Sequence, residues 1–197
     1  MHLNAKLLFE KHAKKFFSAG SRVLELGPDD FPSTFQRIVP SKEWHTIDLY
    51  SNPKLTYLAS DPYRFPVEDN SYDIVLSGQV FEHVKKPWKL IVELARICRQ
   101  GGVIITVAPV SWPYHEAPVD CWRIYPEAMK ALHEEARLVT ELAVWESLEL
   151  PKAKRKTPGR SFDALGPKLD FALRILRLVG FPSECSFDTI AVGRKAA

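Results

Sequence analysis

Glu25 and Gly27 are the first residues whose types ask for a chemical explanation. They sit in Val23–Asp30, VLELGPDD, where an apolar stretch runs into an acidic loop. In an open α/β sheet, ligands bind outside the carboxyl end of such a strand. A glycine there lets backbone approach a ligand or take a positive φ, because it has no Cβ. A carboxylate at the strand end stands where packing alone favours an apolar side chain. An acid about twenty residues further on accepts hydrogen bonds from ribose hydroxyls in doubly wound folds. Asp48, near the end of Glu43–Leu49 (EWHTIDL), fits that place, and it equally fits a turn-forming aspartate. The three-glycine dinucleotide fingerprint is absent, since Pro28-Asp29-Asp30 follows Gly27. A negative loop repels a pyrophosphate and suits a cationic or hydroxyl-bearing ligand.

The elements that must position these groups alternate along the chain. Ala5–Ser18 reads as an amphipathic helix, with Leu7, Leu8, Phe16 and Phe17 apolar and Ala19-Gly20 closing it. Strands are expected at Arg22–Leu26, Glu43–Leu49, Leu55–Ala59, Asp73–Ser77 and Val103–Ala108. Ser33 is placed to cap a short helix ending before Pro40. Trp88–Arg99 follows Pro87 as a helix with Leu90, Ile91, Leu94 and Ile97 on one side, ended by Gly101-Gly102. Gly78-Gln79 lies at the end of the fourth strand, in line with the ligand-binding edge. Pro109–Tyr125 is too long and too rich in Pro, Trp and Tyr for a simple connector, and such loops are often functional. Pro126–Ala136 is a helix, Leu138–Leu148 a strand, Lys168–Val179 a helix and Phe187–Gly193 a last strand. Lys152–Arg160, within a basic stretch at 151–167, reads as a solvated loop. The pattern gives a mostly parallel sheet with helices on both faces, in a single domain over residues 1–197.

Composition narrows the classes. Lys and Arg number 27 against 24 acids, a mixed balance without the strong basic stripe of a nucleic-acid binder. Cys98, Cys121 and Cys185 are odd in number and far apart, which argues against a disulfide framework or zinc site and for a reducing, cytoplasmic setting. No apolar run is long enough to span a bilayer, and the charged N-terminus is no signal peptide.

VLELG, Asp48, the run SDPYRFPVEDNSYDIVLS and FEHV together resemble the class I S-adenosylmethionine-dependent methyltransferases. More narrowly, they resemble small bacterial methyltransferases whose fourth-strand region is a variant of PFPDNSFDVV…LEHV. PVDCWRIYPEAMKAL is similar to a D-[YF]-W-R-[FY]-[TS]-P-E-G-[LM] segment of members associated with glycan and natural-product biosynthesis. The resemblance covers about Arg22 to Leu132, and the C-terminal third by topology alone. It implies a seven-stranded sheet with the last strand antiparallel, and S-adenosyl-L-methionine as cofactor. It also implies site roles. Glu25 and Gly27 begin the first motif, and Pro28 is common in the glycan-associated branch. Asp48 accepts from both ribose hydroxyls, and Asp61 from the adenine amino group, with the backbone of Pro62 or Tyr63 near the ring. Ser77 and Gly78 line the floor under the sulfonium end, and Leu26, Leu49 and Phe81 form apolar walls. The departure is Pro28-Asp29-Asp30, where the family's first motif carries further glycines.

Methyl transfer from a sulfonium is an in-line displacement, so alignment supplies most of the catalysis, roughly 7–11 kcal/mol. A hydroxyl acceptor also needs a base, worth roughly 10²–10⁴-fold. His83, His115, Glu116 and Asp120 are the candidates, with His115 first because an imidazole titrates near working pH. Each has a structural reading as well: His83 as a cap or packing residue, His115 as an exposed loop residue. Asp120 and Arg123 either pair and pin the loop, or Arg123 holds the acceptor with its rigid fork of donors. His115, Glu116 and Asp120 can be drawn together around a divalent metal, but their spacing matches no metal motif and none is expected. Trp112, Tyr114, Trp122 and Tyr125 stack on a sugar or aromatic acceptor, or form the loop's own small core. The function expected is O-methylation of a sugar, glycan precursor or natural-product small molecule by a monomer or homodimer. N- or C-methylation, and a non-catalytic methyltransferase-like binding subunit, are the alternatives.

Overall fold

The computed structural model describes residues 3–39, 41, 43–112, 114–115, 119–146, 148 and 188–196. Seven strands form one sheet in the order β3-β2-β1-β4-β5-β7-β6: β1 Arg22–Leu26, β2 Glu43–Asp48, β3 Tyr57–Leu58, β4 Tyr72–Gly78, β5 Cys98–Pro109, β6 Leu138–Glu146 and β7 Asp188–Lys195. The pairs among β1 to β5 are parallel, and β7 runs antiparallel between β5 and β6. The expected α/β architecture, doubly wound with an antiparallel last strand, is what the chain adopts. All the parallel strands therefore end on one edge, and β7 begins there, with Asp188 opposite Pro109.

Two cores, one on each face, hold the sheet. Val23 and Leu24 are both fully buried because successive side chains enter opposite cores. On one face, Ile74, Leu76, Ile105 and Ile190 pack against Leu8 and Phe9 of the N-terminal helical segment. On the other, Leu26, Val75, Ile104 and Ala191 meet Leu90, Ile91 and Leu94 of α2 (Pro87–Ile97) and Met129 of α3 (Pro126–Glu135). α2 starts where Pro87 needs no N–H partner, and its expected apolar side, Leu90, Ile91, Leu94 and Ile97, is buried. The N-terminal segment is helical over Leu3–Phe16 but not uniformly α: α1 (Leu3–Leu8) passes into a wider turn at Phe9–Ala13 and a tighter one at Lys14–Phe16.

The structure departs from the sequence expectations at definite points. Residues 33–39 form successive turns rather than a helix. The Ser33 hydroxyl does accept the Gln36 N–H at 3.0 Å, but it also donates to Glu25, and Asp29 takes the Thr34 N–H and hydroxyl. These side-chain bonds hold the backbone in turns that do not propagate. β3 shrinks to two residues. Gly101-Gly102 does not end α2, because Cys98 is already extended and begins β5. The glycines serve an irregularity in the β4–β5 register between the Cys98 and Val103 pairs. Gly101 has φ +72°, and a Cβ on Gly102 would stand 2.7 Å from the Asp73 carbonyl oxygen. Lys152–Arg160, Lys168–Val179 and Cys185 lie outside the described residues, as does Phe187 at the expected start of the last strand.

Gly78, at the end of β4, is required by packing. A Cβ there would stand 2.3 Å from the Phe35 ring, and Phe35 is fully buried against Phe9 with ring centroids 4.5 Å apart. Gly78→Ala is expected to cost about 1–3 kcal/mol, as overpacking does. Adding Phe35→Leu is expected to restore part of it. A single variant that melts with the native chain would show that Phe35 yields freely.

Candidate active site

Three consecutive strand ends form the middle of the carboxyl edge: β2 with Asp48, β1 with Gly27 just beyond it, and β4 with Gly78. Gly27 has φ +65°, and its N–H donates to the Ile47 carbonyl at 3.0 Å. A Cβ there would stand 2.6 Å from Val80 Cγ2, so the loops after β1 and β4 touch only because this residue is glycine. Asp48 Oδ1 accepts the Tyr50 N–H at 3.1 Å, and Asp61 Oδ1 accepts the Tyr63 N–H at 2.7 Å. The two carboxylates are thus oriented in the same way, each by the amide two residues on. Oδ2 of each has no protein partner among the described residues.

The segment carrying Asp61 is tied down from α2. Glu93 accepts the Phe65 N–H at 2.7 Å and binds the Arg96 guanidinium through both oxygens, at 2.6 and 2.8 Å. Arg96 reaches on to the Val67 and Phe65 carbonyls. Tyr63 OH accepts the Lys86 N–H at 3.1 Å, which fixes the backbone beside Pro62.

The Glu25 side chain is held by two donors. Its carboxylate points to the α1 face, where the Ser33 hydroxyl and Trp44 Nε1 donate to Oε2 at 2.5 and 2.8 Å. It therefore positions the 27–35 loop. Burial pushes its carboxyl up to about 7 against these two donors, with the Asp29 charge adding to the rise. The folded pKa lies above the unfolded one, so this group favours folding fully below about 4.5. That contribution is lost as pH rises from there to about 7. Glu25→Gln is expected to narrow the gap in melting temperature between pH 5 and pH 8. An unchanged gap would show that Glu25 stays ionised when folded.

Beyond β4 and β5, two loops are fastened together. The 3₁₀ turn Phe81–His83 follows β4, and residues 119–122 of the loop after β5 lie along it. The Cys121 N–H donates to the Glu82 carbonyl at 2.7 Å, and Trp122 Nε1 donates to the Val84 carbonyl at 2.8 Å. His83 Nδ1 lies 2.6 Å from the Val119 carbonyl, so that nitrogen carries the proton and donates. Asp120, its side chain 1% exposed, is the hub of the loop. It accepts two bonds from Arg123 and the His115 N–H at 2.8 Å, and His115 Nδ1 stands 3.3 Å away.

These contacts bear on the sequence expectations. The Arg123 bonds hold the Asp120 carboxyl well below the usual range. Asp120 thus orients His115 and is a poor proton acceptor. Among the described residues Arg123 donates to Asp120, the Trp112 carbonyl and its neighbour Trp122, which directs these bonds within the loop. Trp122 packs edge-on against Trp88, and Tyr125 against Trp145, while Tyr114 is 71% exposed. Ser77 and Phe81 are fully buried, while Leu49 is exposed and Pro28 half-buried. Glu116 lies outside the described residues.

The structure instead brings His83 and His115 together, their rings edge to face with centroids 5.0 Å apart, beside a residue that sequence reasoning passed over. Glu82 is fully buried, and neither of its carboxylate oxygens has a hydrogen-bond partner among the described residues. Burial pushes its carboxyl up to about 8, opposed by its own backbone N–H and by Arg123 and helped by Asp188 and Asp120. His83 Nε2 stands 3.7 Å from Glu82 Oε1. FEHV marked the place, but only the loop folded over it reveals the burial.

Residues 39–106 match the family model described as a methyltransferase domain. A methyltransferase of uncharacterised function from Mycobacteroides abscessus is 35% identical over 97 residues, which is 47% of this chain and 33% of that protein. One from Mycobacterium avium is 32% identical over 93 residues, again 47% of this chain and 33% of that protein. The chain spans about one third of the length of these curated relatives. Among solved structures, an S-adenosylmethionine-dependent methyltransferase from Archaeoglobus fulgidus superposes with TM-score 0.64 at 14% identity, covering 96% of this chain and 92% of that one. Phosphoethanolamine N-methyltransferase 2 of Haemonchus contortus, solved with S-adenosyl-L-methionine, gives 0.60 at 15% identity, over 99% of this chain and 53% of that one. At such identities the likeness is one of fold.

Proposed function

We propose, from the chain's likeness to the class I S-adenosylmethionine-dependent methyltransferases, that it is one of them and transfers a methyl group from S-adenosylmethionine to an oxygen of a small hydroxylated acceptor. The observation that carries this reading is the pair of oriented carboxylates, Asp48 and Asp61, on an edge that leads across Gly27 to the Glu82, His83 and His115 cluster. The donor set fits the cofactor. Asp48 Oδ2 takes the ribose hydroxyls, and Asp61 Oδ2 the adenine amino group. Gly27 brings bare backbone to the edge where the amino-acid end lies. When bound, S-adenosylmethionine supplies a methyl group made electrophilic by its sulfonium, which an acceptor oxygen takes in line as the S–C bond electrons return to sulfur. The chain aligns the acceptor and removes its proton. The polar cluster beyond β4 and β5 does the second, with His115 held by Asp120 as the proton-accepting imidazole. The 109–125 loop is the acceptor wall. Its sequence likeness to the glycan-associated segment supports a sugar, glycan precursor or natural-product hydroxyl as the acceptor.

The test is release of S-adenosylhomocysteine with panels of glycosides, phenols and amines, with products weighed by mass spectrometry. The reading expects O-methylated product from the hydroxyl panels. His115→Ala is expected to lower kcat by about 10²-fold or more with S-adenosylhomocysteine affinity unchanged. Turnover of the amines alone, with His115→Ala still near full rate, would overturn oxygen as the acceptor atom.

A further inference from the structure

We infer that Glu82, His83 and His115 form a binding site for one divalent first-row cation. One oxygen of Glu82 and one ring nitrogen of each histidine all lie within 4.8 Å of one another. Three features favour a cation over a chance meeting of side chains. Glu82 is a carboxylate with no solvent exposure and two oxygens without a hydrogen-bond partner among the described residues, a costly arrangement that a cation resolves. His83 donates from Nδ1 to the Val119 carbonyl at 2.6 Å, which leaves the lone pair on Nε2, the nitrogen 3.7 Å from Glu82. His115 has a carboxylate, Asp120, beside its Nδ1 at 3.3 Å. A carbonyl or carboxylate behind each imidazole is the arrangement that orients metal-ligating histidines.

Two imidazoles and one carboxylate suit Zn²⁺, Fe²⁺ or Mn²⁺, and leave coordination positions open for a ligand oxygen. Binding at about 2.0–2.2 Å draws the three donors closer than they stand here, by rotation of the side chains. The set differs from the sequence-level alternative of His115, Glu116 and Asp120, because Asp120 is committed to Arg123. What the ion does rests on the methyltransferase reading. With the ion bound, His115 is its ligand in place of proton acceptor: as a Lewis acid on the acceptor oxygen, the ion lowers the hydroxyl pKa, the proton leaves to solvent, and the oxygen lone pair is freed for the methyl group. Ion binding itself stands on the cluster alone.

The experiment is titration of the chelator-stripped chain with Co²⁺, followed by calorimetry and by visible ligand-field absorption, with the native chain, Glu82→Gln and His115→Ala. The inference expects one ion per chain with new visible bands, and affinity reduced at least tenfold in each variant. His115 is partly exposed, so its variant is expected to melt with the native chain and still answer if Glu82→Gln fails to fold. No bound ion, or equal binding by native chain and His115→Ala, overturns the site. S-adenosylhomocysteine is titrated into the same samples. Its binding without Co²⁺ binding removes the ion and leaves the methyltransferase reading intact. Co²⁺ binding without it upholds the ion site and removes the reading.

Discussion

Replacing Glu93 by alanine is expected to lower stability by about 3–5 kcal/mol, the cost of removing one partner from a buried ion pair. The Glu93 side chain is 5% exposed and that of Arg96 13%. The change leaves the Phe65 N–H without its acceptor and strips Arg96 of a two-oxygen partner, leaving it the exposed Asp69 carboxylate and the Val67 and Phe65 carbonyls. For a chain of this length the melting temperature should fall by roughly 10 °C. The loss should reach the candidate site, because Phe65 and Val67 anchor the segment that begins with Asp61. S-adenosylmethionine affinity should therefore drop as well. Glu93→Gln keeps an acceptor for Phe65 and should lie between. A melt for Glu93→Ala within 1–2 °C of native, on the scale of an ordinary surface change, would mean that the network holds nothing in place.

Asp48→Ala separates binding from folding in the opposite way. The carboxylate is partly exposed, and its one described bond is local, from the Tyr50 N–H. Its removal should leave the melting temperature almost unchanged. If the carboxylate takes two ribose hydroxyls, affinity for S-adenosylmethionine should fall by roughly 10²–10⁴-fold, since each hydrogen bond to a charged group is worth about 1.5–3 kcal/mol. Asp48→Asn should fall between. Unchanged affinity with a lowered melt would assign Asp48 to its turn alone.

Local pattern carried the frame of this fold into view. β1, β4 and β5 are runs of Val, Ile and Leu, which a two-sided parallel sheet demands, and Leu90, Ile91, Leu94 and Ile97 repeat at helical spacing. Asp48 was visible because its distance from the first strand has a chemical meaning. What escaped is what long-range contacts create. Residues 33–39 carry a capping serine, yet Glu25 and Asp29 draw Ser33 and Thr34 into turns. Gly101-Gly102 reads as a helix stop, but the neighbouring strand's Asp73 carbonyl sets the need for Gly102. Glu93 lies beside buried helix positions, and only the fold shows that Phe65 needs it. Glu82 becomes a buried acid only when residues 119–122 close over the turn that holds it. Arg123 and Asp120, three positions apart, were legible as a pair, and the structure adds the Trp112 and Trp122 carbonyls as further acceptors of the guanidinium.

The central claim is that the Asp48, Gly27 and Asp61 edge binds S-adenosylmethionine. Calorimetric titration of the purified chain with S-adenosylmethionine and with S-adenosylhomocysteine tests it most directly. The expected result is one site per chain for each ligand, with micromolar affinity. Absence of binding by both ligands to a chain that melts cooperatively would contradict it.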